Sequence, residues 1–544
     1  MNPLRDPPHT EIVRERQGGT VTRRSIAVVL AAMFAAAFAL GAFATAQGPV
    51  PGGTLVVGIG QNPAHLNPGI STGSDVHAVA DSMFNGLVSL DDNASPSPEL
   101  AERWEVSADA RVYTFHLQRD ARWHDGEPLT SDDVRFSFER VLLEYHARTR
   151  GALAGALAGI DTPDDHTVVF RFHEPYAALL QQLNVTEAPI LPRHVYEVDD
   201  LSTAAVNLRP VGSGPFRFVE YVIDDRVVLE RNPDYFRADL PYLDRLIFRV
   251  IPDDNTRLLA LERGEVDYIG GVPAGEIERV DALPELTLHS VDSGAGGGFC
   301  IMTMAFNLGR DAFSDPRVRT AFAHAIDREQ LLEQVLFGNG RVATGPIHSA
   351  LSAFYTAEVS TYAVDPERAE ALLDAAGYPR DANGTRLTAT FMHFPAFGRY
   401  GEVLRQNLAR IGVALELVPL DRAAFVARVF EQRDFDTAVV SYCNNADPSI
   451  GVARVYVSSN IGPIPFSNAA AYVNEDVDRA FASAATLADP AERAQHYHEV
   501  QRILTAELPY LWLVETRFTA ASRAAVQGIE AWQGSPAERA WLAR

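Results

Sequence analysis

The strongest constraint on the fold is a regular alternation of strand-like and helix-like segments in the second half of the chain. Two of the helix-like segments end at a glycine, Gly377 and Gly412, which is a common helix stop. Alternation of this kind is typical of an α/β lobe, in which helices cover a sheet. We expect strands at 300–306, 388–392, 414–418 and 437–442, and helices at 316–325, 366–376 and 400–411.

The first half of the chain is richer in short strands and turns. Thr130 or Ser131 is expected to cap a helix that follows the Asp125-Gly126 turn. Because 544 residues are too many for one hydrophobic core, the sequence predicts two α/β lobes joined near the glycines at 294–298. Further strands are expected at 54–59, 104–117, 167–172, 216–221, 227–230, 246–251 and 266–269, and helices at 76–87 and 255–262.

The charge of the chain excludes two classes of partner. The formal net charge is −24, and every basic side chain other than histidine is an arginine. Nucleic acid and anionic membranes repel such a surface, so neither is expected as a partner. The sign of the charge says little about the fold, and we interpret it as a surface that favours solubility.

The first 46 residues form a leader segment. Arginines precede an apolar run at 26–43, which ends in the small-residue pattern Ala44-Thr45-Ala46. This order predicts a cleaved signal peptide, and the pair Arg23-Arg24 resembles a twin-arginine export signal. A membrane anchor is the alternative, because the segment is long enough to span a bilayer. With no cysteine near the cut, we expect a soluble periplasmic protein that is not a lipoprotein.

Cys300 and Cys443 are the cysteines of the chain. In an oxidising compartment they form a disulfide, or they remain two buried thiols that act as small hydrophobic residues. The sequence leaves both alternatives open.

The sequence lacks the motifs of common enzymes and metal sites. It contains no Gly-x-Ser-x-Gly elbow, no P-loop and no His-Glu-x-x-His pattern, and its 15 histidines are scattered. We therefore expect no enzyme activity, no metal and no cofactor. The alternatives are a receptor for a metal chelate of the nickel or haem type and, as a third choice, an exported hydrolase.

Several long blocks, in order along the chain, resemble those of a known family. The family is that of the extracytoplasmic solute-binding proteins of family 5, the receptors of peptide, nickel and opine importers. One block alone would be a weak signal, but the resemblance covers about residues 52–525. The blocks that carry it are 120–137 around Trp123-His124-Asp125-Gly126, 211–216 with Gly212-Ser213-Gly214-Pro215, 231–236 with Asn232-Pro233-Asp234-Tyr235, 306–319, and 365–378.

The resemblance implies a type II-like periplasmic binding protein of the large cluster, with an extra subdomain and a hinge between its lobes. The first lobe is then expected at 47–296 and 505–544, with the subdomain at about 91–211, and the second lobe at 297–504. The implied function is capture of a small peptide-like or other organic solute between the lobes. The implied partners are the permease and ATPase subunits of an ABC importer, and the protein is expected to be monomeric.

One segment of the predicted site departs from the family pattern. In peptide-binding relatives, an aspartate in a segment resembling Trp-x-x-Asp-x-x-Asp-Pro holds the amino terminus of the peptide. Aligned on Asp447-Pro448, that position is Asn444, which carries no charge. A neutral amide compensates a buried ammonium poorly, so an ordinary free peptide is in doubt as the ligand. Asp447 itself is either a ligand contact or a turn residue before proline.

The other candidate ligand contacts follow from position. Ser71, Thr72 and Ser74 occupy a polar loop between a strand and a helix, where free backbone donors often meet a ligand. His393-Phe394 follows a strand and precedes a helix, a favoured ligand position in α/β lobes. The full set of predicted ligand-binding residues is Ser71, Thr72, Ser74, Phe299, Met302, His393, Phe394, Tyr442, Cys443, Asn444, Asn445 and Asp447.

Overall fold

A computed structural model describes residues 48–71, 73–91, 95–291, 299–462, 466–487, 489–529 and 537–543 of the chain. The leader segment and Thr72, both singled out by the sequence, lie outside the described residues. In the part of the chain that the structure describes, no helix is both long enough and apolar enough to cross a membrane.

The strands are short and are spread over the whole chain. In chain order they are β1 (Thr54–Ile59), β2 (Val88–Leu90), β3 (Pro96–Pro98), β4 (Ala101–Val106), β5 (Val112–Leu117), β6 (Leu157–Asp164), β7 (Thr167–Phe172), β8 (Phe216–Val222), β9 (Arg226–Arg231), β10 (Arg245–Val250), β11 (Tyr268–Ile269), β12 (Leu286–Val291), β13 (Cys300–Phe306), β14 (Gly340–Val342), β15 (Leu387–His393), β16 (Val413–Pro419), β17 (Thr437–Cys443), β18 (Tyr510–Thr516), β19 (Phe518–Arg523), β20 (Val526–Gln527) and β21 (Trp541–Leu542).

The longer helices are concentrated in the second half. The α-helices of five or more residues are Ser74–Ala80, Ser131–Phe136, Ala147–Leu153, Asp254–Glu262, Ile277–Asp281, Pro316–Ala325, Arg328–Leu336, Pro366–Ala375, Gly398–Arg410, Arg422–Val426, Glu475–Thr486 and Pro490–Glu507. Shorter helices include Leu143–Tyr145, Leu179–Gln182, Arg193–Tyr196, Asp311–Ser314, Pro448–Gly451 and Ala453–Tyr456.

The first lobe is built on a seven-stranded mixed sheet in the order β12-β19-β11-β1-β10-β9-β8. Its centre is parallel, because β1 pairs with β10 on one side and β11 on the other in the same direction. A hydrophobic core covers this sheet, with Leu55, Phe216, Leu229 and Leu246 fully buried. The carboxyl end of β1 therefore leads into the polar loop that contains Ser71 and Ser74.

The second lobe is built on a six-stranded mixed sheet in the order β14-β18-β13-β17-β15-β16. β15 runs parallel to β16 and β17, whereas β13 runs antiparallel to β17 and β18. The amino end of β13 therefore lies beside the carboxyl end of β17. Helices such as Gly398–Arg410 and Pro316–Ala325 contribute to the same large core as the sheet, as the alternation in the sequence predicts.

A four-stranded antiparallel sheet, β4-β5-β7-β6, forms a subdomain within the first-lobe segment. Its core contains an edge-to-face aromatic cluster, in which Phe170 packs against both Phe115 and Phe138. The helix Ser131–Phe136 covers this core and starts with a capping box, since the backbone N–H of Thr130 donates to Asp133 at 2.9 Å. The strands of this sheet span residues 101–172.

Gly212 and Gly214 serve the fold by their lack of a side chain. Neither residue has a positive φ angle, so neither is required for a left-handed turn. A Cβ atom at Gly214 would lie 2.5 Å from the carbonyl carbon of Met83, and one at Gly212 would lie 1.9 Å from its oxygen. Close backbone approach, rather than turn conformation, therefore explains both residues.

The end of the second lobe differs from the predicted boundary at 505. Residues 510–516 form β18, which lies inside the second sheet between β14 and β13. The chain enters the first sheet again only with β19, so the crossing falls at Arg517. Here Asn339 of the second lobe donates to the backbone oxygen of Arg517 at 3.3 Å. The other predicted boundary, between 296 and 297, lies outside the described residues.

Candidate ligand-binding cleft

The candidate site begins where β17 ends beside the start of β13. Cys443 is the last residue of β17 and stands opposite Cys300, and a disulfide joins the two side chains. This outcome decides between the two alternatives that the sequence left open. The next residue, Asn444, continues the contact, because its backbone N–H donates to the carbonyl of Phe299 at 3.2 Å. The strand ends are thus fixed before the chain turns into the loop 444–447.

The side chain of Asn444 is buried and committed to the protein. Its Oδ1 accepts a hydrogen bond from the backbone N–H of His348 at 2.6 Å, and its Nδ2 donates to the carbonyl of Pro346 at 3.2 Å. The amide therefore fixes the position of the segment 346–348, because it accepts one hydrogen bond from that segment and donates one to it. An aspartate could make only the first of these two bonds while ionised, since a carboxylate has no donor.

Asp447 is also enclosed within the second lobe. Its carboxylate is fully buried and accepts two hydrogen bonds from Arg493. The same carboxylate caps the short helix Pro448–Gly451, because it accepts a hydrogen bond from the backbone N–H of Ser449 at 2.9 Å. Gly451 at the end of that helix packs directly on Asn444, because a Cβ there would lie 2.1 Å from the Asn444 carbonyl oxygen. These contacts favour the structural interpretation of Asp447 over a ligand contact.

The other predicted ligand contacts near the end of β17 differ in whether their side chains remain free to contact a ligand. Tyr442 is buried, and its hydroxyl donates to the carbonyl of Ser467 at 3.1 Å. Met302 is buried in mid-sheet, and Phe299, with a φ of 50°, is buried with its ring 5.7 Å from that of His348. Asn445 is half-buried, and among the described residues its side chain makes no hydrogen bond. Asn445 is therefore the member of this group whose polar atoms remain available.

His393 and Phe394 lie elsewhere on the same sheet. The register of the parallel strands β15 and β17 pairs Met392 with Ala438, so His393 lies level with residue 439. Residue 439 is four residues before the end of β17, a distance of about 13 Å at about 3.3 Å per residue. The ring of Phe394 packs on Phe425 with centroids 4.4 Å apart, and the Nδ1 of His393 lies 2.8 Å from the Phe394 carbonyl oxygen. The structure therefore does not bring this pair together with Asn444.

In the first lobe, the predicted loop is held by a buried histidine. The Nε2 of His77 lies 2.9 Å from the carbonyl oxygen of Ser71, and its Nδ1 lies 2.8 Å from Asp81. Burial acts to lower the pKa of His77, but the charge and hydrogen bond of Asp81 outweigh it, so the pKa is raised above its ordinary value. The Ser71 Oγ accepts from Gly73, whereas Ser74 is exposed at the start of its helix.

The polar contacts continue from this loop toward the second lobe. The other carboxylate oxygen of Asp81 accepts from the hydroxyl of Thr186 at 2.9 Å. The adjacent Glu187 pairs with Arg148 at 2.9 Å, with side chains 10% and 32% exposed. The charges of Glu187 and Arg148 act in turn on Arg454, which belongs to the second lobe. Charged side chains of the first lobe therefore influence the pKa of an arginine of the second, and we call Arg148, Glu187 and Arg454 the cleft charges.

Two tyrosines of the subdomain are influenced by charges of the second lobe. Burial raises the pKa of Tyr113 to about 12, and the positive charge of Arg493 opposes that rise. Burial likewise raises the pKa of Tyr176, where a hydrogen bond from Gln182 acts against the shift and the charge of Asp447 adds to it. The charges of Asp447 and Arg493 in the second lobe therefore influence the pKa values of these two tyrosines of the subdomain.

The cleft charges were not predicted from the sequence. Arg454 lies in the segment Val452-Ala453-Arg454-Val455-Tyr456, where a single arginine stands among apolar residues. A lone arginine among apolar residues indicates a charge that is partly enclosed by the fold, and Arg454 is half-buried. Arg148 and Glu187 carry no comparable signal, because their role depends on the approach of the other lobe. Among the described residues, no group of three or more histidine, cysteine, aspartate or glutamate side chains could hold a metal ion.

The fold and the cleft define the class of the protein as a two-lobed binding protein that encloses a solute, and comparisons with known proteins agree. Residues 95–463 match the description "Bacterial extracellular solute-binding proteins, family 5 Middle". An ABC transporter peptide-binding protein of Brucella ovis is 31% identical over 511 residues, covering 91% of this chain and 93% of the relative.

Two solved structures show the same architecture. The ABC transporter substrate-binding protein CtaP of Listeria monocytogenes has a TM-score of 0.79 at 24% identity, covering 91% of this chain and 100% of its own. The binding protein AgaA of A. tumefaciens R10, in complex with agropinic acid, has a TM-score of 0.74 at 26% identity, covering 90% and 99%. The chain belongs to the bacterial extracellular solute-binding proteins of family 5, whose relatives are ABC transporter receptors rather than enzymes.

Proposed function

We propose that this protein is the extracytoplasmic receptor of an ABC importer for an organic solute that need not carry a free amino terminus. The solute is captured between the lobes and passed to the permease, and the ATPase subunits drive its import. The descriptions of the relatives support the importer, since the Brucella ovis protein is described as an ABC transporter peptide-binding protein. The bound agropinic acid of AgaA supports a wider ligand range than peptides.

The observation that carries the ligand assignment is the role of Asn444. It occupies the position at which the family pattern places a carboxylate that binds the amine of the ligand. Both polar atoms of its side chain are instead hydrogen-bonded to the backbone of Pro346 and His348. A ligand ammonium at this place would lose its hydration without gaining an opposite charge. Asp447, the next carboxylate along the chain, is already neutralised by Arg493. The available polar groups therefore favour a ligand that lacks a buried ammonium.

The positions of the polar groups support capture between the lobes. Ser71, Ser74 and the side chains of Arg148 and Glu187 belong to the first lobe, while Asn445 and Arg454 belong to the second. A ligand that contacts both sets stabilises the closed arrangement more than the open one. A difference of about 5.5 kcal/mol is enough to shift a two-state equilibrium almost completely, and a few hydrogen bonds with apolar burial supply it.

We further propose that the leader segment is cleaved after export and that the mature chain acts in the periplasm as a monomer without a lipid anchor. The arginine-rich start, the apolar run at 26–43 and the small-residue end at Ala46 support this route. Mass spectrometry of the protein recovered from its native host tests it. A mature amino terminus near residue 47 is expected, and an intact apolar run would contradict the proposal.

A thermal-shift screen of the exported protein tests the ligand class. The panel pairs di- to pentapeptides with their N-acetylated forms and adds opines, oligosaccharides and metal chelates, because a ligand that binds the folded state raises its melting temperature. We expect N-acetylated and non-peptide solutes to stabilise the protein at least as well as free-amine peptides. Stabilisation that requires a free amine would contradict the assignment from Asn444. Stabilisation by metal chelates alone would replace the organic solute with the chelate alternative.

A further inference from the structure

Phe337 stands at a helix end in a way that the stability of the fold does not explain. It follows the helix Arg328–Leu336 with a φ of 51°, a left-handed conformation in which glycine is the usual residue. A bulky aromatic residue with such a backbone is an outlier that costs free energy. Its side chain is 52% exposed, so hydrophobic burial offsets this cost only in part. Local strain of this kind is typical of a functional contact.

The ring of Phe337 lies against the first lobe, although its backbone belongs to the second. A Cβ atom placed on Gly275 would lie 3.5–3.7 Å from three carbons of this ring, which is ordinary van der Waals contact. Gly275 follows β11 in the first lobe, and its φ is not positive. The backbone therefore does not require a glycine here, whereas the lack of a side chain leaves room for the ring.

An arginine of the second lobe lies over the same ring. The guanidinium carbon of Arg399 is 5.7 Å from the ring centroid of Phe337, within the range of a cation–π contact. Arg399 is the second residue of the helix Gly398–Arg410, where a positive charge is unfavourable because the helix N-terminus is itself positive. The contact with the ring offsets part of that cost and restrains the ring from the side of the second lobe.

The contact between Phe337 and Gly275 lies beside the place where the chain crosses between the lobes. The side chain of Asn339 binds this crossing, because its Nδ2 donates to the Arg517 carbonyl at 3.3 Å and its Oδ1 accepts from the Thr519 hydroxyl at 3.4 Å. The loop that leads to Gly275 starts at the same point, since the backbone N–H of residue 272 donates to the carbonyl of Thr519 at 2.8 Å. A small displacement beside a hinge is amplified at the far ends of two rigid lobes.

We propose that Phe337 and Gly275 form a latch between the lobes, which favours their closed arrangement without contacting the solute. The latch rests on the proposed receptor function, because it has a role only where the lobes open and close. Opening separates the ring from Gly275 and exposes more apolar surface to water, which is unfavourable. The latch therefore raises the closed population of the ligand-free protein, and with it the apparent affinity for the solute.

Small-angle X-ray scattering of the ligand-free, exported protein tests the latch, because opening of the lobes increases the radius of gyration. Phe337→Gly removes the ring and also suits the left-handed backbone. We expect this variant to have a larger radius of gyration than wild type, together with an unchanged or higher melting temperature. Lobes that open without a loss of stability distinguish the latch from a merely structural role of Phe337.

Two glycines of the same loop provide a matched comparison, since neither has a positive φ. Gly275→Leu places a side chain where the ring of Phe337 lies, so it should wedge the lobes apart and increase the radius of gyration. Gly271→Leu is the control, because a side chain there enters open space and should leave the radius at the wild-type value. Combining Gly275→Leu with Phe337→Gly makes room for the leucine, so the radius should fall below that of Gly275→Leu alone.

Three results would overturn the latch. They are a wild-type radius of gyration for Phe337→Gly, equal expansion by the two leucine variants, and a double variant that is as expanded as Gly275→Leu. Failure of the receptor function itself would instead appear as wild-type protein that binds no solute of the wider panel. The two failures are distinguishable, because the scattering comparison needs no ligand.

Discussion

The carboxylate of Asp447 accepts hydrogen bonds from both terminal nitrogens of Arg493, at 2.7 and 2.8 Å, and both side chains are closed off from solvent. The hydroxyl of Tyr497 lies 2.9 Å from the same guanidinium and accepts a hydrogen bond from it. Arg493 also lies over the ring of Phe354, 5.3 Å from its centroid. The pair therefore connects the loop after β17 to the helix Pro490–Glu507, directly behind the candidate cleft.

Asp447→Asn should destabilise the protein strongly, because it leaves the buried charge of Arg493 without its partner. Breaking one side of a buried ion pair costs about 3–5 kcal/mol of unfolding free energy. Urea denaturation of the ligand-free protein measures the loss. Glu220→Gln is the control, since Glu220 pairs with Arg226 at the surface and should cost no more than about 1 kcal/mol. A variant with wild-type stability but lost ligand binding would instead make Asp447 a ligand contact.

Glu99 should make stability depend on pH in a direction unusual for a carboxylate. It is buried where Asn85 donates to it at 2.7 Å, and burial raises its pKa to about 7 although Arg237 acts against the rise and Glu538 with it. Between its unfolded pKa, about 4.3, and about 7, the folded state therefore binds more protons than the unfolded state. The contribution of Glu99 to the unfolding free energy is therefore fully present below this pH range and is lost as the pH rises through it.

Glu99→Gln removes the titrating proton while keeping an oxygen for Asn85. Relative to this variant, wild type should lose on the order of 3 kcal/mol of unfolding free energy between pH 5 and pH 8, from about 1.4 kcal/mol per pKa unit. Urea denaturation at the two pH values checks it. The exposed Glu105, changed to Gln, provides the control and should leave the pH profile of wild type unaltered. Parallel profiles for wild type and Glu99→Gln would show that Glu99 is charged in the folded protein.

Local pattern predicts much of this fold, and the errors have both local and long-range causes. β1, β7 and β13 have the predicted bounds, because alternation or an apolar run between turn residues is a local signal. The segment 104–117 was predicted as one strand but forms the hairpin β4–β5. The Oγ of Ser107 accepts from the backbone N–H of Val112 and closes the turn, in which Ala110 has a φ of 51°.

Tertiary contacts also shorten the helix predicted at 76–87, which ends at Ala80. Asp81 follows it and is bound by His77 and by Thr186, a residue far along the chain. The site shows the same division. The loop 444–447 follows from a motif, whereas the charges of Arg148 and Glu187 that act on the pKa of Arg454 belong to the other lobe, and no local pattern indicates them. The strand ends can therefore be located from the sequence, whereas the charges that act from one lobe on the other cannot.

Asn444→Asp should lower stability, because a carboxylate cannot donate to the carbonyl of Pro346 and is repelled by it. The loss of a buried donor and the added charge should cost about 1–3 kcal/mol of unfolding free energy. Asn445→Asp is the matched control, since that half-buried side chain makes no hydrogen bond among the described residues and its left-handed backbone tolerates aspartate. Undiminished stability of Asn444→Asp, with new affinity for free-amine peptides, would mean that this side chain faces the ligand.

The disulfide between Cys300 and Cys443 should stabilise the second lobe without being required for folding. It closes a sequence separation of 143 residues, and loops of that length gain roughly 5 kcal/mol in the chain-entropy model, more than the 2–4 kcal/mol usually measured. The seven paired positions of β13 and β17 hold the strand ends together without the bond, so Cys300→Ala with Cys443→Ala should remain folded. The double variant should unfold at a lower urea concentration than wild type. Dithiothreitol should abolish this difference, because it reduces the disulfide and so lowers the stability of wild type alone. Alkylation of denatured, unreduced protein should add no label, and two labelled thiols would show that the bond does not form in the exported protein.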